Sequence, residues 1–133
     1  VLIDANVLMD IGRSQPTARN LGWGIDVDDW DSGRVRGNVV HHVGDAALDN
    51  TWGIKIDGHT SDVEVSANVL HGIYGREGIR ITSDPKANLQ VFGNEIQLGG
   101  TPTEVIDSDY AGAGTFFAWT SDFIGGAKAT FDE

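Results

Sequence analysis

At 133 residues the chain is the size of one domain, with 20 Asp and Glu against 9 Lys and Arg, a net charge of −11 and no Cys. That balance argues against nucleic acid as a partner, because phosphate contacts need clustered cations. It favours solubility and hard cations such as Ca²⁺. Without Cys there is no disulfide frame, thiol nucleophile or thiolate zinc site, and no apolar run is long enough to insert in a membrane.

In chain order, the first element is an apolar strand starting at Val1-Leu2-Ile3, with neither a leader nor an initiator Met before it. This reads as a piece of a longer secreted or surface protein whose targeting segment lies elsewhere. The strand belongs to a repeat. The segments VLIDANVLM, GRVRGNVVH, VEVSANVLH and LQVFGNEIQ align on Asn6, Asn38, Asn68 and Asn94, spaced 32, 30 and 26 residues apart. Ile3, Val35, Val65 or Val91 stands three residues before each Asn, and Leu8, Val40, Leu70 or Ile96 two after. The residue directly before is small each time: Ala5, Gly37, Ala67 and Gly93. Ile11, Val43 and Ile73 form a further partial column.

Between these segments lie WGIDVD at 23–28, WGIKID at 52–57 and EGIRIT at 77–82. Each is a glycine followed by period-2 alternation, the mark of a half-buried strand. Ile25/Val27, Ile54/Ile56 and Ile79/Ile81 are the inward candidates. Uneven spacing points to loops of different length, with Arg13–Asn20 and Asp45–Thr51 the best candidates. Strands repeating without intervening helices predict an all-β, right-handed parallel β-helix of about four to five stacked coils. An antiparallel sandwich is the competing architecture, but it does not require positions repeated at fixed register. Residues 1–98 carry the repeats, and 99–133 read as a degraded last coil or cap of the same domain. Phe116, Phe117, Phe123, Phe131 and Trp119 cluster there, and TSDFIG at 120–125 echoes TSDVEV at 60–65. The two ends of such a stack are open strand edges, suited to a second copy or a companion chain.

The alternation of N-V-[VL]-H with G-I-x-I segments resembles the repeats of the pectate-lyase-like superfamily, over about residues 1–98. That superfamily holds polysaccharide lyases, mannuronan epimerases, glycoside hydrolases and phage tailspikes. The resemblance implies a ladder of inward asparagines at positions 6, 38, 68 and 94, satisfying turn backbone groups. Asn suits such a place because it tolerates left-handed geometry and bonds its own backbone. The resemblance also implies an extracellular acidic polysaccharide as ligand or substrate. By that analogy Lys55 is a candidate base for C5 proton abstraction and Arg80 a neutraliser of the uronate carboxylate. No catalytic motif of the superfamily matches clearly. A cross-strand charge ladder explains the Asp26, Lys55, Arg80 column equally well, and a non-catalytic structural or adhesive segment of a surface protein or phage fibre explains the chain.

Asp26, Asp28, Asp29 and Asp31 form the densest charge cluster and are the candidate Ca²⁺ ligands, with Asp57 in the same column as Asp28. The run fails the EF-hand pattern, so solvated acidic surface is the alternative. Trp30, Asp57, His41 and His71 are the candidate substrate contacts; the histidines serve as readily as fillers at strand ends. Under strict alternation Trp23 and Trp52 point inward with Ile25 and Ile54, leaving Trp30 as the exposed aromatic.

Overall fold

A computed structural model describes residues 1–11, 22–44, 51–74, 77–82, 86–99, 104–108, 113–124 and 128–131; for Lys86, for 104–108 other than Ile106, and from 113 onward, it describes backbone alone. The expected loops at 13–20 and 45–50 lie outside these residues, as do the side chains of the aromatic-rich C-terminal segment.

The described residues are all strand and turn, with no helix. Fourteen strands follow one another: β1 Leu2–Asp4, β2 Val7–Ile11, β3 Gly22–Asp28, β4 Gly33–Arg36, β5 Val39–Val43, β6 Thr51–Asp57, β7 Thr60–Ser61, β8 Val63–Ser66, β9 Val69–Ile73, β10 Glu77–Ile81, β11 Lys86–Leu98, β12 Glu104–Ser108, β13 Ala113–Ile124 and β14 Lys128–Phe131. They build two open sheets. The first takes β1, β4, β8 and β11, then β9, β5 and β2, with β7 and β13 also pairing β11; the second runs β14-β12-β10-β6-β3. The chain alternates between the sheets, and each strand pairs in parallel with its counterpart from the next pass. Parallel partners cannot be joined by a tight hairpin, so every return must travel by way of the other sheet.

The registers follow the sequence columns. Ile3 pairs Val35, Val35 pairs Val65 and Val65 pairs Val91. Leu8, Val40, Leu70 and Ile96 stack likewise. In the second sheet Ile25, Ile54, Ile79 and Ile106 form one column, and Val27, Ile56 and Ile81 another. Val35, Val40, Ile54, Ile56, Val65, Leu70, Ile79, Ile81, Val91 and Ile96 have no solvent exposure. They join one core fed by both sheets. Each such side chain contributes about 1.5–3 kcal/mol on leaving water. Because β-branched residues recur at one register, the chain gains strand preference and burial from the same positions.

The turn before each Asn has a fixed shape. Ala5, Gly37, Ala67 and Gly93 all have left-handed backbones, with φ between 51° and 62°. The Asn that follows bonds up and down the stack. Asn38 Nδ2 donates to Asn68 Oδ1 (2.9 Å), and Asn68 Nδ2 to Asn94 Oδ1 (2.9 Å). The backbone N–H groups of Asn38 and Asn68 donate to the same oxygens at 3.0 Å. The second Nδ2 proton reaches a carbonyl one pass back: Asn38 to Ile3, Asn68 to Val35, Asn94 to Val65. Asn38, Asn68 and Asn94 are wholly buried, so these amides replace water at a bend where the strand ladder breaks.

Candidate functional site

The second sheet's outer face brings together most of the candidate residues. Lys55 lies between the buried Ile54 and Ile56 and therefore points outward; Asp26 pairs with it on one side and Arg80 on the other, with Asp107 next in register. Asp28 pairs with Asp57 in the adjoining column.

Trp23 and Trp52 join this face rather than the core, contrary to strict alternation. The glycine after each tryptophan is the reason. A Cβ on Gly24 would lie 2.5 Å from Val40 Cγ1 and 2.4 Å from the Gly53 carbonyl oxygen; one on Gly53 would lie 2.7 Å from the Gly78 carbonyl oxygen and 3.1 Å from Leu70 Cδ1. The inward direction is thus filled by backbone at the glycines. The indoles stack on each other instead, with centroids 6.2 Å apart and planes 25° apart. Lys55 Nζ stands 4.9 Å from the Trp23 ring centroid and 5.8 Å from that of Trp52, a placement that favours a cation.

Polar bonds close around this pair. Lys55 Nζ donates to Asp57 Oδ2, Trp52 Nε1 to Glu77 Oε2, and Thr82 Oγ1 to Asp57 Oδ1 (2.7 Å). The Gly58 N–H also donates to Asp57 Oδ1 (3.0 Å). Partial burial pushes the Asp57 carboxyl up, but the hydrogen bonds from Lys55, Thr82 and Gly58 outweigh it and hold the carboxyl well below the usual carboxylate range. Asp26 shifts the other way. Burial raises it, Lys55 draws it down, and the charges of Asp57 and Asp28 raise it again.

Asp28, Asp29 and Asp31 are exposed; Asp28 stands near enough to Asp26 to raise its carboxyl, and the Oδ1 atoms of Asp28 and Asp29 both crowd the place where a Cβ on Gly58 would stand. Asp29 has a left-handed backbone (φ 54°) and accepts the His59 N–H at 2.7 Å, while the Asp31 carbonyl accepts Ser61 Oγ at 3.0 Å. Among the described residues no three His, Cys, Asp or Glu side chains gather as a metal ion requires. Trp30 is half-buried against the core and crowds Gly33, whose Cβ would meet its ring at 2.6 Å. It is packing rather than an exposed platform. His41 and His71 are registered neighbours in the first sheet, away from Lys55. His71 Nε2 lies 2.8 Å from Glu95 Oε1, and His41 packs on His42 with ring centroids 3.9 Å apart. Glu77 is the residue of this cluster that sequence reasoning missed; Trp23 and Trp52 could stack on sugar rings by their shared column, but strict alternation set them in the core, and the signal against that was the glycine following each.

No protein-family model, curated protein or solved structure matches the chain.

Proposed function

We propose that the chain is a segment of an extracellular right-handed parallel β-helix protein of the pectate-lyase-like kind, and that the second sheet's outer face binds a carbohydrate chain. The in-register parallel strands and the alternation between two sheets support the helical winding, since parallel crossovers are right-handed in nearly all known cases. One observation carries the functional part: two stacked tryptophans sit on a strand face beside Lys55, Asp57 and Asp26. Aromatic rings offer the apolar surface that sugar C–H faces pack on, and the carboxylates accept hydroxyl protons.

Binding suits the face better than cleavage. Lys55 is committed to Asp57 and lies over indole rings, and a proton-abstracting base must have a free lone pair. Lys55 and Arg80 are therefore assigned to ligand positioning. The test is titration with soluble polysaccharides followed by tryptophan fluorescence and calorimetry. Saturable binding that Trp23→Ala or Trp52→Ala weakens about tenfold, a loss of about 1.4 kcal/mol, supports the reading. Absence of binding to every polymer, or binding indifferent to both substitutions, refutes it.

A second reading, a rigid structural or adhesive segment of a surface protein or phage fibre, draws on the buried Asn ladder, which stiffens the stack without serving a ligand. On that reading the open sheet edges pair with another copy or a companion chain. It predicts association that rises with concentration in analytical ultracentrifugation, together with no glycan binding.

A further inference from the structure

Resting on the carbohydrate-binding reading, we infer that the ligand of the Trp23–Trp52 face is a neutral glycan rather than the acidic polymer to which the repeat pattern points. The balance of charge on the face carries the inference. Asp26, Asp28 and Asp57 stand there against Lys55 and Arg80, and the whole chain carries −11. Lys55 cannot serve a uronate cheaply. Its side chain is only 14% exposed, its ammonium is bonded to Asp57, and it stands 4.9 and 5.8 Å from the two indole centroids. Moving it to a sugar carboxylate would leave Asp57 with Thr82 and the Gly58 N–H alone, registered beside Asp28. Arg80 is flanked in its column by Lys55 on one side and the acidic position Asp107 on the other. A polyuronate brings one carboxylate per residue, and threading it across these rows sets like charges a few ångströms apart in a partly dry setting.

A neutral hexose polymer brings no carboxylate to these rows and leaves the Lys55–Asp57 bond in place. Its apolar faces need aromatic surface, which the two indoles supply, and its hydroxyls are donors suited to the exposed carboxylates of Asp26 and Asp28. The parallel rows lie about 4.8 Å apart, so a chain running across the strands meets Trp23 and Trp52 on successive rows.

The experiment compares the unsubstituted protein against neutral polymers (β-glucan, mannan, xylan) and polyuronates (pectate, alginate), each with Ca²⁺ and with chelator, by calorimetry and tryptophan fluorescence. The expected result is that one neutral polymer binds about tenfold or more tightly than either polyuronate, with affinity nearly unchanged between low and high salt. The double substitution Asp26→Asn with Asp28→Asn, confirmed as folded by circular dichroism, is expected to narrow that preference by strengthening polyuronate binding. Tighter binding of pectate or alginate than of every neutral polymer, with or without Ca²⁺, overturns this inference and leaves the carbohydrate reading standing. Binding to no polymer overturns the carbohydrate reading itself, and this inference with it.

Discussion

Replacing Asn68 by alanine probes the central link of the amide ladder. The substitution takes the acceptor away from the Asn38 N–H and Nδ2, and takes the Nδ2 donor away from the Val35 carbonyl and Asn94 Oδ1. Asn94 Oδ1 keeps the backbone N–H of residue 68 and is not orphaned. Two or three buried polar groups are left unsatisfied, at about 1–3 kcal/mol each. The expected loss is about 3–6 kcal/mol, a large part of the roughly 5–15 kcal/mol that holds a domain together. Asn6→Ala is the internal control. Asn6 is exposed, its side chain only donates, and Asn38 Oδ1 keeps the Asn6 backbone N–H at 3.0 Å; the expected cost is about 1 kcal/mol. Urea unfolding followed by circular dichroism measures both. If Asn68→Ala costs no more than Asn6→Ala, the ladder does not stabilise the fold. Asn68→Asp adds a pH signature. The carboxylate would face two acceptors in a dry site, so its folded pKa rises above the unfolded value of about 3.9. The deficit is then absent below about pH 4 and grows as pH rises through the folded value.

Three further outcomes follow from the same geometry. Gly24→Ala places a methyl group against Val40 and the Gly53 carbonyl and is expected to cost about 1–3 kcal/mol, whereas Gly93→Ala, with nothing within 4 Å of the new Cβ and φ at 61°, costs about 1 kcal/mol; thermal midpoints distinguish them. Lys55→Met removes a bond that lowers the Asp57 carboxyl. That bond's stabilisation is fully present above about pH 4 and lost as pH falls through the folded value. The midpoint gap between variant and parent is therefore widest at pH 7 and shrinks toward pH 2.5; a gap that widens in acid would contradict the assignment. Asp26→Asn relieves a carboxyl raised by burial. It is expected to raise the midpoint at pH 7, with the gain fading as pH falls through the raised folded value and absent below about pH 4.

The columns were legible because in-register parallel pairing converts a repeat in sequence into a row in space. Asn38, Asn68 and Asn94 had to recur, since each bends the chain at one place and hands its amide to the next. Val35, Val65 and Val91 recur because one interior must be filled at every pass. The outer face was less legible. Alternation says which way a side chain points only while every residue has one, and Gly24 and Gly53 spend the inward direction on bare backbone. That reversal moved Trp23 and Trp52 from the core to half-buried places on the outer face. Trp30 went the other way, because the left-handed residue Asp29 turns the chain just before it. The Lys55–Asp57 pair sits at the i, i+2 spacing that puts both on one face of a strand, and was readable in principle.

Several side chains find a polar partner about one pass away in the chain: Asp4 with Arg36, Asp57 with Thr82, Asp62 with Asn88, His71 with Glu95. The effects of substitutions should therefore be interdependent at intervals of 24 to 32 residues, matching those separations. Adjacent residues on opposite faces should be nearly independent. Acceptable changes in such a chain would then arise as correlated pairs one repeat apart. A change in one copy of the repeat sets what the next copy can accept, so its repeats diverge together.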